Sequence, residues 1–353
     1  MVRLMESLFN YSLQDLSNEM VALGQKSFRA TQIYNWLYLK RVKDIDSMSD
    51  ISASFREILK EKYEMKLPSI IKKQVSYDGT VKLLLELEDK MSVETVLMRY
   101  DYGNAVCVSS QVGCNMGCKF CASGLIKKQR DLKASEMVSQ VMKIQEYLDE
   151  EGKGERVSHV VIMGSGEPFD NYDNVMNFIK IINDQKGLAI GARHITVSTS
   201  GIPDKIVKYS KEGIQVNLAI SLHASNNETR NKIMPINKAF PLEKLFEAIK
   251  EYESNSKRRV TIEYILLKGL NDSLKNASEL ASLLKGTFAY VNLIPYNEVS
   301  ENEFRRSDKE SVRAFYEELK RIGVNVTIRK EFGSDIDAAC GQLRAKKEGI
   351  LNE

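Results

Sequence analysis

The sequence predicts an α/β protein whose core is a parallel β-sheet. From residue 135 onward, stretches with helical periodicity alternate with stretches of strand character, and alternation at this spacing is typical of βαβ units. A block with period-two alternation precedes them over residues 70–110, and the first seventy residues have helical character. The parallel part is expected to form a barrel, complete or partial, or a doubly wound sheet.

The first seventy residues contain three amphipathic stretches. They begin near Ser12, Ala30 and Asp50, and the last ends before Pro68. We therefore predict a small helical accessory domain over residues 1–70. It serves either as a packing cap or as a contact surface for RNA.

The next segment has the pattern of antiparallel strands. Residues 70–77 and 80–87 flank an Asp-Gly turn, which predicts a hairpin, and two further strands are predicted over 92–99 and 105–110. After these, helices are predicted over 135–149, 172–184, 202–212, 242–254, 274–284 and 308–322, and strands over 157–163, 193–199, 215–221, 259–265, 289–295 and 324–329. In such a sheet, functional residues lie on the loops that follow the strands.

The composition narrows the class of protein. Lys and Arg total 51 and Asp and Glu total 48, so the net charge is +3. This excludes a histone-like polycation, but it does not exclude clustered basic patches that bind nucleic acid. No run of about 18 apolar residues is present, and the N-terminus lacks the pattern of a signal peptide. We expect a cytoplasmic monomer without a membrane segment.

Three of the five cysteines form a tight motif. Cys114, Cys118 and Cys121 have the spacing C-x3-C-x2-C and follow a predicted strand. Three thiolates on one loop can hold three irons of a cubane cluster and leave the fourth iron open for a ligand. The alternative is a zinc site, which needs four closed ligands. Cys107 is available as the fourth, but it lies on the preceding strand.

Small polar residues follow several of the later strands. Residues 163–168 include Gly164, Gly166 and Glu167; the glycines let a ligand approach the backbone, and the carboxylate can pair with an ammonium group. Ser198, Ser221 and residues 295–297 also follow strands. Each segment taken singly is typical of a cap or a turn, but together they predict a ring of polar groups around one site.

The cysteine motif, with Phe120 before its last cysteine, resembles the signature of radical S-adenosylmethionine (SAM) enzymes. Longer strings are similar to the RlmN/Cfr family of radical SAM RNA adenosine methyltransferases, namely residues 93–96, 107–114, 221–224 and 335–343. The resemblance implies a partial (β/α)6 TIM-like barrel of the radical SAM type, with a small helical N-terminal domain and a β extension. The implied division is an RNA-contacting domain 1–70, a β-hairpin extension 71–99, a radical SAM core 100–335 and a tail 336–353.

The resemblance implies a role for each cysteine. Cys114, Cys118 and Cys121 would hold one [4Fe-4S] cluster. Cys340 would be methylated by one SAM molecule, and a second would give a 5′-deoxyadenosyl radical that takes hydrogen from this methyl group. The resulting methylene radical adds to adenine. Cys107 would then attack Cys340 and form a transient disulfide, which external thiols reduce.

The remaining site residues also come from the resemblance. Glu94 matches the proton acceptor that removes the ring proton, although it could instead be solvent-exposed, and Glu86 or Glu88 could take its place. The SAM-contacting positions of the family fall on Gly166, Glu167, Ser198, Ser221, Leu222, His223 and Asn297.

The family implies RNA substrates and an external electron donor such as flavodoxin. One branch methylates carbon 2 of an adenosine in the peptidyl transferase centre of 23S rRNA and of the tRNA adenosine 3′ of the anticodon. The other methylates carbon 8 of the same ribosomal base and confers antibiotic resistance. Val112, where the resistance branch often has cysteine, and the strings 198–201 and 293–297 favour carbon 2. A non-catalytic iron–sulfur or zinc protein that binds RNA is the alternative from another class.

Overall fold

The computed structural model describes residues 5–299, 301–339 and 341–343. Its N-terminal unit is helical, as predicted. In chain order, its elements are β1 (Glu6–Ser7), α1 (Leu13–Ala22), α2 (Phe28–Tyr34), α3 (Ala53–Lys62) and β2 (Tyr63–Glu64). The two short strands pair with each other in parallel. The Ser12 hydroxyl oxygen accepts a hydrogen bond from the Asp15 amide at 3.2 Å and so caps α1. A π-helical turn, Asn35–Leu39, continues α2.

The rest of the chain forms one large sheet with helices packed against it. The strands of this part of the chain are β3 (Ser69–Val75), β4 (Val81–Glu86), β5 (Ser92–Tyr100), β6 (Gly103–Cys107), β7 (Gln111–Val112), β8 (Arg130–Asp131), β9 (Val157–Ile162), β10 (Ile195–Thr199), β11 (Asn217–Ser221), β12 (Thr261–Leu266), β13 (Tyr290–Pro295) and β14 (Val326–Ile328). Of these, β7 and β8 form a separate two-stranded sheet, and the others form the large sheet. Its helices are α4 (Ala134–Glu150), α5 (Tyr172–Asn183), α6 (Pro203–Ser210), α7 (Asn227–Ile233), α8 (Leu242–Ser256), α9 (Leu274–Leu283) and α10 (Lys309–Arg321).

The strand order identifies the architecture as a partial barrel. The large sheet has the order β14-β13-β12-β11-β10-β9-β6-β5-β4-β3. The strands from β6 to β14 in this sheet pair in parallel, each beside its neighbour along the chain, while β3, β4 and β5 add an antiparallel extension. A doubly wound sheet would reverse its strand order at a switch point. This order has no reversal, which agrees with the predicted α/β partial barrel rather than with a doubly wound sheet.

Side-chain alternation separates the core from the interior of the barrel. On β12, Ile262 and Tyr264 are fully buried in the main hydrophobic core. Glu263, between them, has the opposite orientation and lines a cavity inside the barrel. The interior face therefore carries polar groups, while the outer face packs against helices.

The short helix α7 is absent from the predicted elements. It spans only seven residues, too few for helical periodicity to emerge from a window of eleven or more. Its start is capped by Asn226, whose side-chain oxygen accepts a hydrogen bond from the Thr229 amide at 2.9 Å. Across the described residues, no helix combines the length and the apolar character needed to cross a membrane.

Candidate active site

A cavity of about 130 Å³ lies inside the barrel at the ends of the parallel strands. Cys114, Cys118 and Cys121 all line it. The cysteine loop is held by backbone hydrogen bonds, in which the Cys114 amide donates to the Ile126 carbonyl and the Lys119 amide to the Ile233 carbonyl, both at 2.9 Å. The loop thus presents three thiols to one space, as the motif predicts.

The loop needs glycine where it begins. Gly113 has φ +75°, and a Cβ added there would lie 2.4 Å from the Lys127 carbonyl oxygen. A side chain at this position would therefore clash with the backbone that closes the loop.

The environment of the thiols fits a metal cluster. Burial raises the pKa of the Cys114 thiol to about 12 and that of Cys118 well above its ordinary value. Such thiols ionise readily only when a metal cation stabilises the thiolate. Among the described residues, no group of three or more His, Cys, Asp or Glu side chains is arranged to hold a single metal ion. A cubane spreads its thiolates over different irons.

A buried arginine lies behind the cysteine loop. Arg230, on α7, has no exposed surface. Its guanidinium donates to the carbonyls of Ser200 and Leu222 at 2.6 and 3.1 Å and to Asn237 at 2.9 Å. Burial lowers its pKa to about 10, and interaction with Cys118 opposes that shift. The chain therefore holds a positive charge beside the thiols.

The loop after β9 approaches other backbone closely. Gly166 has φ +108°, and an added Cβ would lie 2.6 Å from the Gln111 Cβ. Glu167 is buried, and burial raises its pKa. Its carboxylate accepts hydrogen bonds from the amides of Phe169 at 3.0 Å and Ser200 at 2.7 Å. Glu167 thus joins the ends of β9 and β10, and its oxygens retain further acceptor capacity.

The predicted SAM-contacting residues are partly brought together. Those that line the cavity are Gly166, Glu167, Ser198, Ser221 and His223. The hydroxyls of Ser198 and Ser221 are 3.4 Å apart. Leu222 and Asn297 are buried but are not among the residues that line the cavity.

His223 is neutral in this site. Burial, reinforced by Arg230, lowers its pKa to about 3. Its Nδ1 accepts a hydrogen bond from the Ile265 amide at 3.1 Å, so the proton is on Nε2. The ring packs edge-on against Phe120, with centroids 4.9 Å apart.

Charged residues that the sequence reasoning missed also line the cavity. Glu263 is fully enclosed, and burial raises its pKa. The Asn292 amide donates to both of its carboxylate oxygens at 3.2 and 3.0 Å, and Arg329 lies 3.7 Å away. In the sequence, the one available signal for Glu263 was its carboxylate in the middle of an otherwise mostly apolar strand.

Glu94 and Cys107 lie on one face of the antiparallel extension. Glu94 is buried and pairs with Lys82 at 3.2 Å, so it is not the solvent-exposed residue of the alternative prediction. Glu86 and Glu88 line a different cavity. Cys107 is buried at the end of β6.

The C-terminal tail reaches both Cys107 and the cysteine loop. Ala338 and Leu343 share an apolar cluster with Cys107. The Ala122 amide donates to the Gly341 carbonyl at 2.7 Å, and the Ser123 hydroxyl donates to the Leu343 carbonyl at 2.6 Å. Cys340 itself lies outside the described residues; Gly341, which follows it in the sequence, lines the cavity.

Comparisons with known proteins agree with this geometry. A family model described as the radical SAM superfamily matches residues 108–281, and one described as the ribosomal RNA large subunit methyltransferase N-terminal domain matches residues 6–65. A relative from Enterococcus faecalis, described as "Probable dual-specificity RNA methyltransferase RlmN", is 57% identical, with 99% of each chain covered. A relative from Streptococcus mutans with the same description is also 57% identical, with 96% of this chain and 95% of the relative covered.

A solved structure gives the same result. The crystal structure of a radical SAM methyltransferase from Sphaerobacter thermophilus superposes with a TM-score of 0.92 at 40% identity. The match covers 97% of this chain and 100% of that one. The similarity therefore includes the N-terminal unit, the barrel and the antiparallel extension.

Proposed function

Because the chain belongs to the RlmN family of radical SAM RNA methyltransferases, we propose that it methylates carbon 2 of adenosine in two RNAs. The targets are an adenosine in the peptidyl transferase centre of 23S rRNA and the adenosine 3′ of the anticodon in tRNAs. The dual-specificity description of the relatives and the strings at 198–201 and 293–297 support this choice.

One observation carries the proposal. The C-terminal tail contacts both the cysteine loop and β6: Gly341 lines the cavity and accepts a hydrogen bond from Ala122, and Ala338 shares an apolar cluster with Cys107. The described residues before and after position 340 therefore contact the strand that carries Cys107 and the loop that carries the three thiols. This arrangement suits a methyl group that is carried on a protein sulfur and then transferred.

The radical SAM family implies a [4Fe-4S] cluster and SAM. We assign Cys114, Cys118 and Cys121 as the cluster ligands and the polar residues at the strand ends as the SAM site, with two SAM molecules used per turnover. When bound, these groups supply a methyl group and, after one-electron reduction, a 5′-deoxyadenosyl radical. We also assign residues 1–70 to RNA contact, residues 71–99 to the β extension, residues 100–335 to the core and residues 336–353 to the tail.

The first half of the reaction uses Cys340. Its thiolate attacks the SAM methyl carbon, so a sulfur–carbon bond forms as the sulfonium–carbon bond breaks. The methyl group on Cys340 would then give one hydrogen atom to the 5′-deoxyadenosyl radical that bound SAM would supply, with 5′-deoxyadenosine as the by-product. The carbon radical forms a bond to carbon 2 of the adenine, which is electron-poor and cannot attack SAM by itself. The target adenine must be unstacked to reach this enclosed site.

The second half of the reaction uses Glu94 and Cys107. Glu94 accepts the proton of carbon 2, and one electron returns to an external one-electron carrier such as flavodoxin, which restores the aromatic ring. The Cys107 thiolate attacks the Cys340 sulfur and forms a disulfide. The bond from that sulfur to the transferred carbon breaks, its electron pair stays on the carbon, and the carbon takes up a proton to become the methyl group. External thiols reduce the disulfide.

Replacing Cys340 with alanine tests the methyl-carrier role. We expect RNA methylation to fall to background while the cluster absorbance is unchanged, because residue 340 is not a cluster ligand in this scheme. Anaerobic reconstitution, absorbance spectroscopy and mass spectrometry of the RNA measure both quantities. RNA methylation that persists in this variant would refute the proposed mechanism.

The position of methylation is tested separately. Ribosomal RNA and tRNA from cells with and without the gene are digested and analysed by mass spectrometry. Gene-dependent 2-methyladenosine in both RNAs is the expected result. Gene-dependent 8-methyladenosine instead would assign the carbon-8 alternative.

The charge of Arg230 should set the reduction potential of the cluster. In Arg230→Met, we expect the potential to fall by about 59 mV, a tenfold change in the reduction equilibrium, because a buried positive charge favours the added electron. Redox titration followed by electron paramagnetic resonance measures it. Arg230→Lys keeps the charge and should keep the potential. An unchanged potential in the methionine variant would show that this charge does not act on the cluster.

A further inference from the structure

Lys82 is the only buried lysine among the described residues, with 6% of its surface exposed. Its ammonium lies 3.2 Å from a carboxylate oxygen of Glu94 and donates to the carbonyl of Asp337 at 3.1 Å. An ammonium group removed from water is costly unless it is paired and hydrogen-bonded. Both compensating partners belong to segments that the proposed reaction uses, since Glu94 is the proposed base and Asp337 precedes Cys340 by three residues.

The register of the sheet places Lys82 on the same face as Cys107. Val96 on β5 is the direct partner of Lys82 on β4 and of Cys107 on β6. Residues directly opposite each other on neighbouring strands point to the same face, and so do residues two apart on one strand. Glu94 is two residues from Val96. The ammonium, the carboxylate and the thiol therefore share one face of the extension.

The residues just before the tail have their own anchors on the hairpin next to Lys82. The Gly333 amide donates to the Asp78 carboxylate at 2.9 Å, and the Ser76 hydroxyl donates to the carboxylate of Asp335. Asp337 has φ +50°, a backbone conformation that residues with a side chain adopt rarely. A Lys82 contact to the Asp337 carbonyl thus joins Glu94 to a tail segment whose position is already fixed.

The strand that carries Glu94 is held from a second direction. The Ser109 hydroxyl donates to the Glu94 carbonyl at 2.7 Å, and its oxygen accepts from the Ser165 amide at 3.0 Å. Ser165 is in the loop after β9 that borders the cavity. The backbone of Glu94 is therefore tied to the cavity loop, while its side chain is tied through Lys82 to the tail.

From this geometry we propose that Lys82 is a positioning residue, which holds the Glu94 carboxylate in place relative to the tail that carries Cys340. The inference rests on the proposed function, in which Glu94 accepts the proton of carbon 2. In that step the carbon–hydrogen bond breaks, an oxygen–hydrogen bond forms on Glu94, and the Lys82 ammonium keeps all its protons. Lys82 contacts neither RNA nor cofactor in this role.

A purely structural lysine would have a different signature. Removal of one partner from a buried ion pair destabilises the fold through the charge left behind. Such a loss would lower cluster content, Cys340 methylation and RNA methylation together. A positioning role predicts that proton removal alone is slowed.

The test measures proton removal directly in the full-length holoenzyme. Each variant is first methylated on Cys340 with SAM, as followed by intact-protein mass. It is then reacted for a single turnover with RNA that carries deuterium at carbon 2 of the target adenosine. We expect Lys82→Met to acquire the Cys340 methyl group as the protein without a substitution does. Its release of deuterium should be at least tenfold slower. Lys82→Arg retains a cation with several donors and should restore most of the rate.

Two further variants complete the design. Lys143→Met is the matched control, because Lys143 also forms an ion pair, with Glu146 at 2.8 Å, but on α4; its deuterium release should not change. If Lys82→Met loses its cluster, Lys82→Gln takes its place, since glutamine keeps an amide donor without the charge. Deuterium release at the original rate in folded Lys82→Met, or in Lys82→Gln where it takes its place, or equal losses in Cys340 methylation and deuterium release, would overturn the inference.

Glu94→Gln, measured in parallel, separates this inference from the proposed function. If Glu94→Gln releases deuterium at the original rate, Glu94 is not the base, and both the base assignment and the role of Lys82 fail. If Glu94→Gln is slow and Lys82→Met is not, only the Lys82 inference fails.

Discussion

Replacing Cys118 with serine should abolish both the iron–sulfur chromophore and RNA methylation. Cys118 lines the cavity with the other two loop cysteines, and its thiol is enclosed beside the positive charge of Arg230. A serine hydroxyl is a hard, weakly acidic donor and does not replace a thiolate in an iron–sulfur cluster. Iron and sulfide analysis of anaerobically purified protein, absorbance spectroscopy and an RNA methylation assay measure the effect, which is expected to be a loss to background.

Cys107→Ser is the matched control for this experiment. Cys107 is a buried cysteine that lies on β6 rather than on the cysteine loop, and it shares an apolar cluster with Ala338. Its serine variant should retain the full iron content. If Cys118→Ser kept four irons and Cys107→Ser lost them, the ligand assignment would be wrong. If the unmodified protein held zinc and no sulfide, the cluster itself would be refuted.

The main elements of the fold could be predicted because their signals are local. Helices such as α4 and α8 have enough turns to show periodicity, and the short strands between them are apolar. The choice between a barrel and a doubly wound sheet could not be made from those signals, because it depends on strand order. The helix α7 was missed because a seven-residue segment carries little periodic signal.

The site could be predicted where the motif itself is the chemistry. The cysteine loop and the glycine-rich loop need particular residues at fixed spacings, and both border the cavity. Arg230 and Glu263 were missed because their roles depend on which way a side chain faces after the sheet has formed. Lys82 was missed because its partners, Glu94 and Asp337, are far from it along the chain. Contacts of that kind are decided by register and docking, which no local pattern encodes.

We expect the Cys107→Ser enzyme to react once with RNA and then to remain covalently bound to it. In the proposed reaction, the bond between the Cys340 sulfur and the transferred carbon breaks only when a second thiolate attacks that sulfur. Cys107 is buried and shares an apolar cluster with Ala338 and Leu343, which precede and follow position 340 in the sequence, and we therefore expect it to be the attacking thiol. A serine hydroxyl is scarcely ionised near neutral pH and attacks sulfur poorly, so the adduct has no route to product.

The adduct is detected as an RNA-dependent shift of the protein on a denaturing gel, and its identity is confirmed by mass spectrometry after nuclease digestion. The expected yield is up to one adduct per methylated Cys340, with multiple-turnover product reduced to background. The double variant Cys107→Ser with Cys340→Ala must form no adduct, because the carrier sulfur is missing. Normal multiple turnover in Cys107→Ser would show that another thiol, from the protein or from solution, resolves the intermediate. An adduct that persisted in the double variant would place the covalent bond on a residue other than Cys340.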